Sequence, residues 1–135
     1  MEIRSDPAHM HLLRVLLVED DQNARDTTAA WLSHLGHEVH MAADGSTALE
    51  VAEAVRPDIV LLDIGLAGMD GWEVARQLRK DPGATRPYIV AVTGRAQRAD
   101  YSRSRQVGID LHMTKPADPQ ELGEVLDRFH SLLAS

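Results

Sequence analysis

The chain has 135 residues, a formal net charge of −7, 44% hydrophobic and 26% charged residues, and no cysteine. That length suits one domain able to bury roughly two thirds of its unfolded surface. Disulfides and thiolate metal sites are excluded, no apolar run is long enough to span a membrane, and the acidic balance argues against direct nucleic-acid binding by the whole domain. Residues 1–11 are polar, contain Pro7, lack the apolar stretch of a secretory signal and carry no period. They read as a flexible leader before one domain at 12–134.

From Leu12 onward two textures alternate. The first apolar run is LLRVLLV (12–18), followed by a segment marked by Thr28, Trp31, Leu32 and Leu35 that stops at Gly36. EVHMA (38–42) precedes a second helical segment marked by Ala48, Val51, Ala52 and Val55, ending before Pro57. DIVLLD (58–63) leads to a third, marked by Trp72, Ala75 and Leu78, with Asp81-Pro82-Gly83 after it. YIVAV (88–92) is followed by an Arg-rich, weakly patterned stretch from about Gln97 to Val107 that stops at Gly108. LHMT (111–114) precedes the clearest helix, in which Leu122, Val125, Leu126, Phe129, Leu132 and Leu133 recur at helical spacing. Asp118 is placed to cap that helix, with Pro119 at its first position.

Short runs that are apolar on successive residues suit strands covered on both faces. Five strand–helix alternations therefore predict an α/β domain, a doubly wound parallel sheet with right-handed crossovers and helices on both sides. Ligands of such sheets bind beyond the carboxyl ends of the strands. Those ends carry Glu19-Asp20-Asp21, Asp63, Thr93-Gly94 and Lys115-Pro116. Several carboxylates in one cleft repel each other, and a divalent cation held by oxygen ligands, magnesium above all, relieves that repulsion. Lys115 neutralises part of the remaining charge, and the Thr93 hydroxyl offers a donor to an oxyanion. The set suits a phosphoryl group on Asp63, since carboxylates act as nucleophiles towards phosphorus.

VLLVEDDQNAR, DIVLLDIGLAGMDGWEVAR, VTG and TKP, in that order and spacing, resemble the receiver domains of two-component response regulators over about residues 12–134. The wording is most similar to receivers attached to hybrid sensor kinases, or to free-standing ones. The resemblance implies a flavodoxin-like (βα)5 fold with strand order 2-1-3-4-5. It implies that Asp63 accepts a phosphoryl group from a histidine kinase or phosphotransfer protein. Mg2+ would be held by Asp20 and Asp63 directly, by Glu19 through water and by the Gly65 carbonyl. Thr93 would be the switch hydroxyl, Lys115 the partner of the phosphoryl group, Lys115-Pro116 a cis peptide, and His112 would stand at the aromatic switch position. A signalling role in the cytoplasm is implied, rather than that of an enzyme with turnover. Ala67, Gly65, Ala117 and His112 depart from the residues common at their positions and bear on phosphoryl lifetime and switching geometry.

Three features admit a plainer reading. Glu19-Asp20-Asp21 could merely cap a helix, with or without metal binding, and Asp21 is not counted as a ligand. His9, His11, His34, His37 and His40 lack a helical pairing with a second acid and are expected at the surface; Trp31 and Trp72 are expected to pack. Arg95, Arg98, Arg103 and Arg105 form either a solvated helix face or a docking surface for an acidic downstream partner. An aspartate-nucleophile phosphohydrolase needs a second acid two residues after the nucleophile, and Gly65 stands there. A module that kept only the fold would not need the complete acid, threonine and lysine set.

Overall fold

The computed structural model describes residues 12–65, 70–80, 87–94 and 106–134. Residues 1–11, Ala67, Asp81-Pro82-Gly83, Arg95, Arg98, Arg103, Arg105 and most of the Arg-rich stretch lie outside them. The elements are β1 (Arg14–Val18), α1 (Gln22–His34), β2 (Glu38–Ala42), α2 (Gly45–Val55), β3 (Ile59–Asp63), α3 (Gly71–Lys80), β4 (Tyr88–Thr93), β5 (Leu111–Thr114) and α4 (Pro119–Ala134).

The five strands form one parallel sheet in the order β2-β1-β3-β4-β5. The continuous apolar runs are explained by which side each residue faces. In β1, Leu16 and Val18 join Val60, Leu62, Ala48, Val74 and Leu78 in a core beneath α2 and α3. Val15 and Leu17 point the other way and join Leu61, Val90, Leu32, Leu122 and Leu126 beneath α1 and α4. A strand covered on both faces has no polar side to show, so alternation disappears. β3 lies centrally, between β1 and β4, and all five of its residues are buried.

Acidic residues begin the helices. Asp21 Oδ2 accepts from the Ala24 amide at 2.8 Å, Asp44 Oδ1 from Thr47 at 2.8 Å, Asp70 Oδ1 from Glu73 at 2.9 Å and Asp118 Oδ2 from Glu121 at 3.1 Å. Each satisfies an amide that the first helical turn leaves without a partner. α1 begins at Gln22, six residues before Thr28, the first residue that marked its helical spacing. Its buried stripe is Ala29 and Leu32, with Thr28, Trp31 and Leu35 half-buried beside it. Gly36, at φ 103°, carries the turn into β2.

The histidines correct one expectation. His37 is 6% exposed, between α1 and β2, and its buried Nδ1 has no hydrogen-bond partner among the described residues. Burial holds its pKa below the ordinary histidine value, and His130 adds to that while Asp127 opposes it. Both of these charges sit on α4, at the far end of the chain, where local spacing gives no signal. His40 is half-buried and bonds Glu38 Oε2 at 2.6 Å. His34 is exposed, as expected, and stacks on Trp31 with ring centroids 5.9 Å apart.

At the edge where the strands begin, α3 is tied to the sheet by Arg79. Its guanidinium donates to the Gly108 carbonyl at 2.9 Å, to the Pro87 carbonyl and to Asp110, whose Oδ2 also accepts from the Ile89 amide at 2.7 Å.

Candidate functional site at the strand ends

Parallel strands deliver their last residues to one edge, and this sheet reverses its winding between β1 and β3. Asp63 closes β3 there with only 4% of its surface exposed. A carboxylate so placed is tolerated when charge and hydrogen bonds meet it. Lys115 Nζ lies 2.8 Å from Asp63 Oδ2, and the Gly65 amide donates to Oδ1 at 2.9 Å. Lys115 also reaches Glu19 Oε1 at 3.6 Å. Burial alone would pull the lysine's pKa down; the hydrogen bond and charge of Asp63, then Glu19, outweigh it and hold the ammonium above its ordinary value. Burial pushes the Glu19 carboxyl up, helped by the charge of Asp63 and opposed by the Asp21 amide and Lys115.

Carboxylate oxygens of Glu19, Asp20 and Asp63 lie within 4.8 Å of one another. Glu19 is tied back by its own loop: its Oε2 accepts from the Asp21 amide at 3.1 Å, and Arg25 donates to its carbonyl at 2.9 Å. Asp21 stands outside the trio and caps α1. An all-oxygen, acidic set suits a hard divalent cation.

Thr93 ends β4 beside this group. It is buried, and its Oγ1 has no hydrogen-bond partner among the described residues. An unsatisfied buried hydroxyl costs free energy and stands ready to bond an incoming acceptor. The Lys115 amide bonds the Thr93 carbonyl at 2.6 Å, and Lys115-Pro116 is cis. Asp20, Asp63, Gly65, Trp72, Thr93 and Lys115 line a cleft of about 370 Å3. His112 lies on β5 opposite Ala91, half-buried, with its ring 6.3 Å from that of Trp72.

Two residues of the site escaped sequence reasoning. Trp72 is buried, as packing would require, but it also walls the cleft and meets His112. Gly71, the first residue of α3, is pressed so closely on the end of β3 that a Cβ there would lie 2.6 Å from Ile64 Cα and 2.9 Å from the Asp63 carbonyl oxygen. A glycine inside a helix start, where it lowers helix propensity, was the available signal.

A family model described as the response regulator receiver domain matches residues 15–127. The DNA-binding response regulator MtrA of Mycolicibacterium smegmatis is 37% identical over 109 residues, 81% of this chain and 46% of that protein. Protein PilH of Pseudomonas aeruginosa is 32% identical over 111 residues, 82% of this chain and 92% of that protein. The chain thus matches about half the length of MtrA and most of PilH. Among solved structures, chemotaxis protein CheY4 of Vibrio cholerae superposes with a TM-score of 0.82 at 28% identity, covering 86% of this chain and 97% of that one. A CheY-like receiver domain of Methanospirillum hungatei superposes with a TM-score of 0.76 at 31% identity, covering 88% and 97%.

Proposed function

Because the chain belongs to the response regulator receiver domain family, we propose that Asp63 is its phosphoacceptor and that a histidine kinase or histidine phosphotransfer protein is the donor. The observation that carries this reading is the Asp63 carboxylate, buried at the central strand end and held by Lys115 at 2.8 Å. An Asp63 oxygen attacks the phosphorus of the donor's phosphohistidine. The P–N bond breaks, its electron pair returns to the imidazole, and an acyl phosphate remains on Asp63. The chain's part is positioning and electrostatics: Lys115 meets the charge on the transferring group, and the Thr93 hydroxyl donates to one of its oxygens. Glu19, Asp20, Asp63 and the Gly65 carbonyl would hold Mg2+, which when bound supplies positive charge against the phosphoryl oxygens.

The added charge biases a two-state equilibrium through Thr93 and, on the neighbouring strand, His112. Output passes to a downstream protein; the Arg95–Arg105 stretch, either a solvated face or its docking surface, lies outside the described residues. The family is a signalling one, and promotion of its own aspartyl phosphorylation is the activity proposed for this chain. No helix among the described residues is long and apolar enough to cross a membrane; the reaction proposed is a cytoplasmic one, without direct contact to nucleic acid. The test is intact mass after incubation with acetyl phosphate and Mg2+. The wild type gains one phosphoryl group, sensitive to hydroxylamine, and Asp63→Asn gains none; full labelling of that variant on the same peptide overturns the assignment.

A further inference from the structure

A second cavity, of about 730 Å3, lies between α1 and the connection from β5 to α4. It exists because the side chains facing each other across this gap are small. Ala24 and Thr28 stand on the α1 side, and Pro116 and Ala117 on the other, with Leu122 at the base. Trp31 also lines it: its indole N–H donates to the Pro119 carbonyl at 3.0 Å, holding α1 to the start of α4. A cavity of that volume with apolar walls and a few converging polar groups has the form of a small-molecule site.

The charges on its lining choose the ligand. Glu19, Asp21 and Asp63 contribute three carboxylates against the single ammonium of Lys115. That ammonium is already engaged by Asp63 at 2.8 Å and Glu19 at 3.6 Å. Asp21 uses one oxygen, Oδ2, as the α1 cap, so its charge remains for a partner at the mouth. An anion entering here meets net repulsion. A neutral apolar molecule leaves carboxylates covered without a counter-charge, which is costly. A cation on an aromatic or alicyclic body satisfies both the walls and the rim, its ring packing on Trp31 and its charge meeting the carboxylates.

We propose that this hollow binds a small aromatic or alicyclic ammonium ion, with its ring between Ala24, Trp31 and Ala117 and its charge beside Asp21 and Glu19. The cavity shares Asp63 and Lys115 with the cleft. Occupancy would therefore hinder phosphorylation, a consequence that rests on the function proposed above; binding itself does not.

The test uses the full chain in metal-free buffer, with 2-naphthylmethylammonium as probe and naphthalene-2-acetate as the control of similar shape and opposite charge. Two-dimensional NMR follows the Trp31 indole N–H and the Ala117 amide. The ammonium shifts both saturably, and the acetate binds at least about tenfold more weakly. Ala117→Phe fills the hollow from one wall and Ala24→Met from the other, at an exposed helix position that tolerates change; each weakens the probe by about tenfold or more. No saturable shift, equal binding of the acetate, or undiminished binding in both filled variants overturns the proposal. Acetyl phosphate labelling of the wild type, run alongside without probe, separates the two readings. Labelling without probe binding refutes the ligand site alone, and probe binding without labelling upholds the ligand site while the phosphoacceptor reading falls.

Discussion

Gly71→Ala adds one methyl group with no charge and no part in the chemistry, and it should impair both stability and phosphorylation. The new Cβ would lie 2.6 Å from Ile64 Cα and 2.9 Å from the Asp63 carbonyl oxygen. Carbon atoms in contact need about 3.5 Å, so α3 or the end of β3 must give way by about 0.9 Å. Neither yields easily. The Ile64 amide bonds the Val92 carbonyl at 3.2 Å, and α3 is anchored by Trp72, Val74 and Ala75, all buried. Overpacking of this kind costs about 1–3 kcal/mol. The shift falls on the backbone that aims the Asp63 carboxylate at Lys115, and a misplacement of about 1 Å in a reacting group can cost about 100-fold in rate. Urea unfolding measures the first effect, and the initial rate of acetyl phosphate labelling, followed by intact mass, measures the second. Gly94→Ala is the control for stability, because a Cβ there meets nothing within 4 Å; it should cost less than about 0.5 kcal/mol. If Gly71→Ala kept wild-type stability and labelling rate, the close approach of α3 to β3 would not be what positions Asp63.

Asp20→Asn should weaken Mg2+ by about tenfold or more, because it removes a hard anionic ligand from a small set, whereas Asp21→Asn should change it by about twofold or less and keep the α1 cap; isothermal titration of both variants checks the choice, and equal losses would contradict it. His37 is held below its ordinary pKa by burial first and by His130 second. The unfolded chain therefore binds this proton more readily than the folded one, and the His37 contribution, fully present above about pH 6.5, is lost as pH falls below that value. The slope from this one group is at most about 1.4 kcal/mol per pH unit, and His37→Asn should remove it from urea-unfolding curves taken between pH 7.5 and 5.5; parallel wild-type and variant profiles would refute the linkage. Arg79→Met should destabilise by about 2–3 kcal/mol, because it leaves the Asp110 carboxylate and two carbonyls short of their charged donor. Labelling of Asp63 should not change, since this clasp joins the opposite edge of the sheet; a slowed reaction in the folded variant would show coupling between the two edges.

The elements that were legible in the sequence owe it to short-range physics. A strand buried on both faces must be apolar at every position, so IVLLD at 59–63 announced itself, and a helix with one covered stripe must repeat as Leu122, Leu126 and Phe129 do. The site was legible for a related reason: in a parallel sheet wound this way, the residues after each strand meet at one edge, so Glu19, Asp20, Asp63, Thr93 and Lys115 could be brought together from their places in the chain. What tertiary structure alone decided depends on which distant surfaces touch. His37 feels Asp127 and His130 because the fold brings α4, some ninety residues later, near it. Gly71 matters because α3 returns onto the end of β3 at a distance that no Cβ tolerates. Ala24 and Ala117 are unremarkable as residues and become a cavity only because Trp31 bonds Pro119 and sets the spacing between α1 and the start of α4. Periodicity records the side a residue faces; it does not record what stands opposite, and closeness, burial and empty space are all properties of that opposite surface.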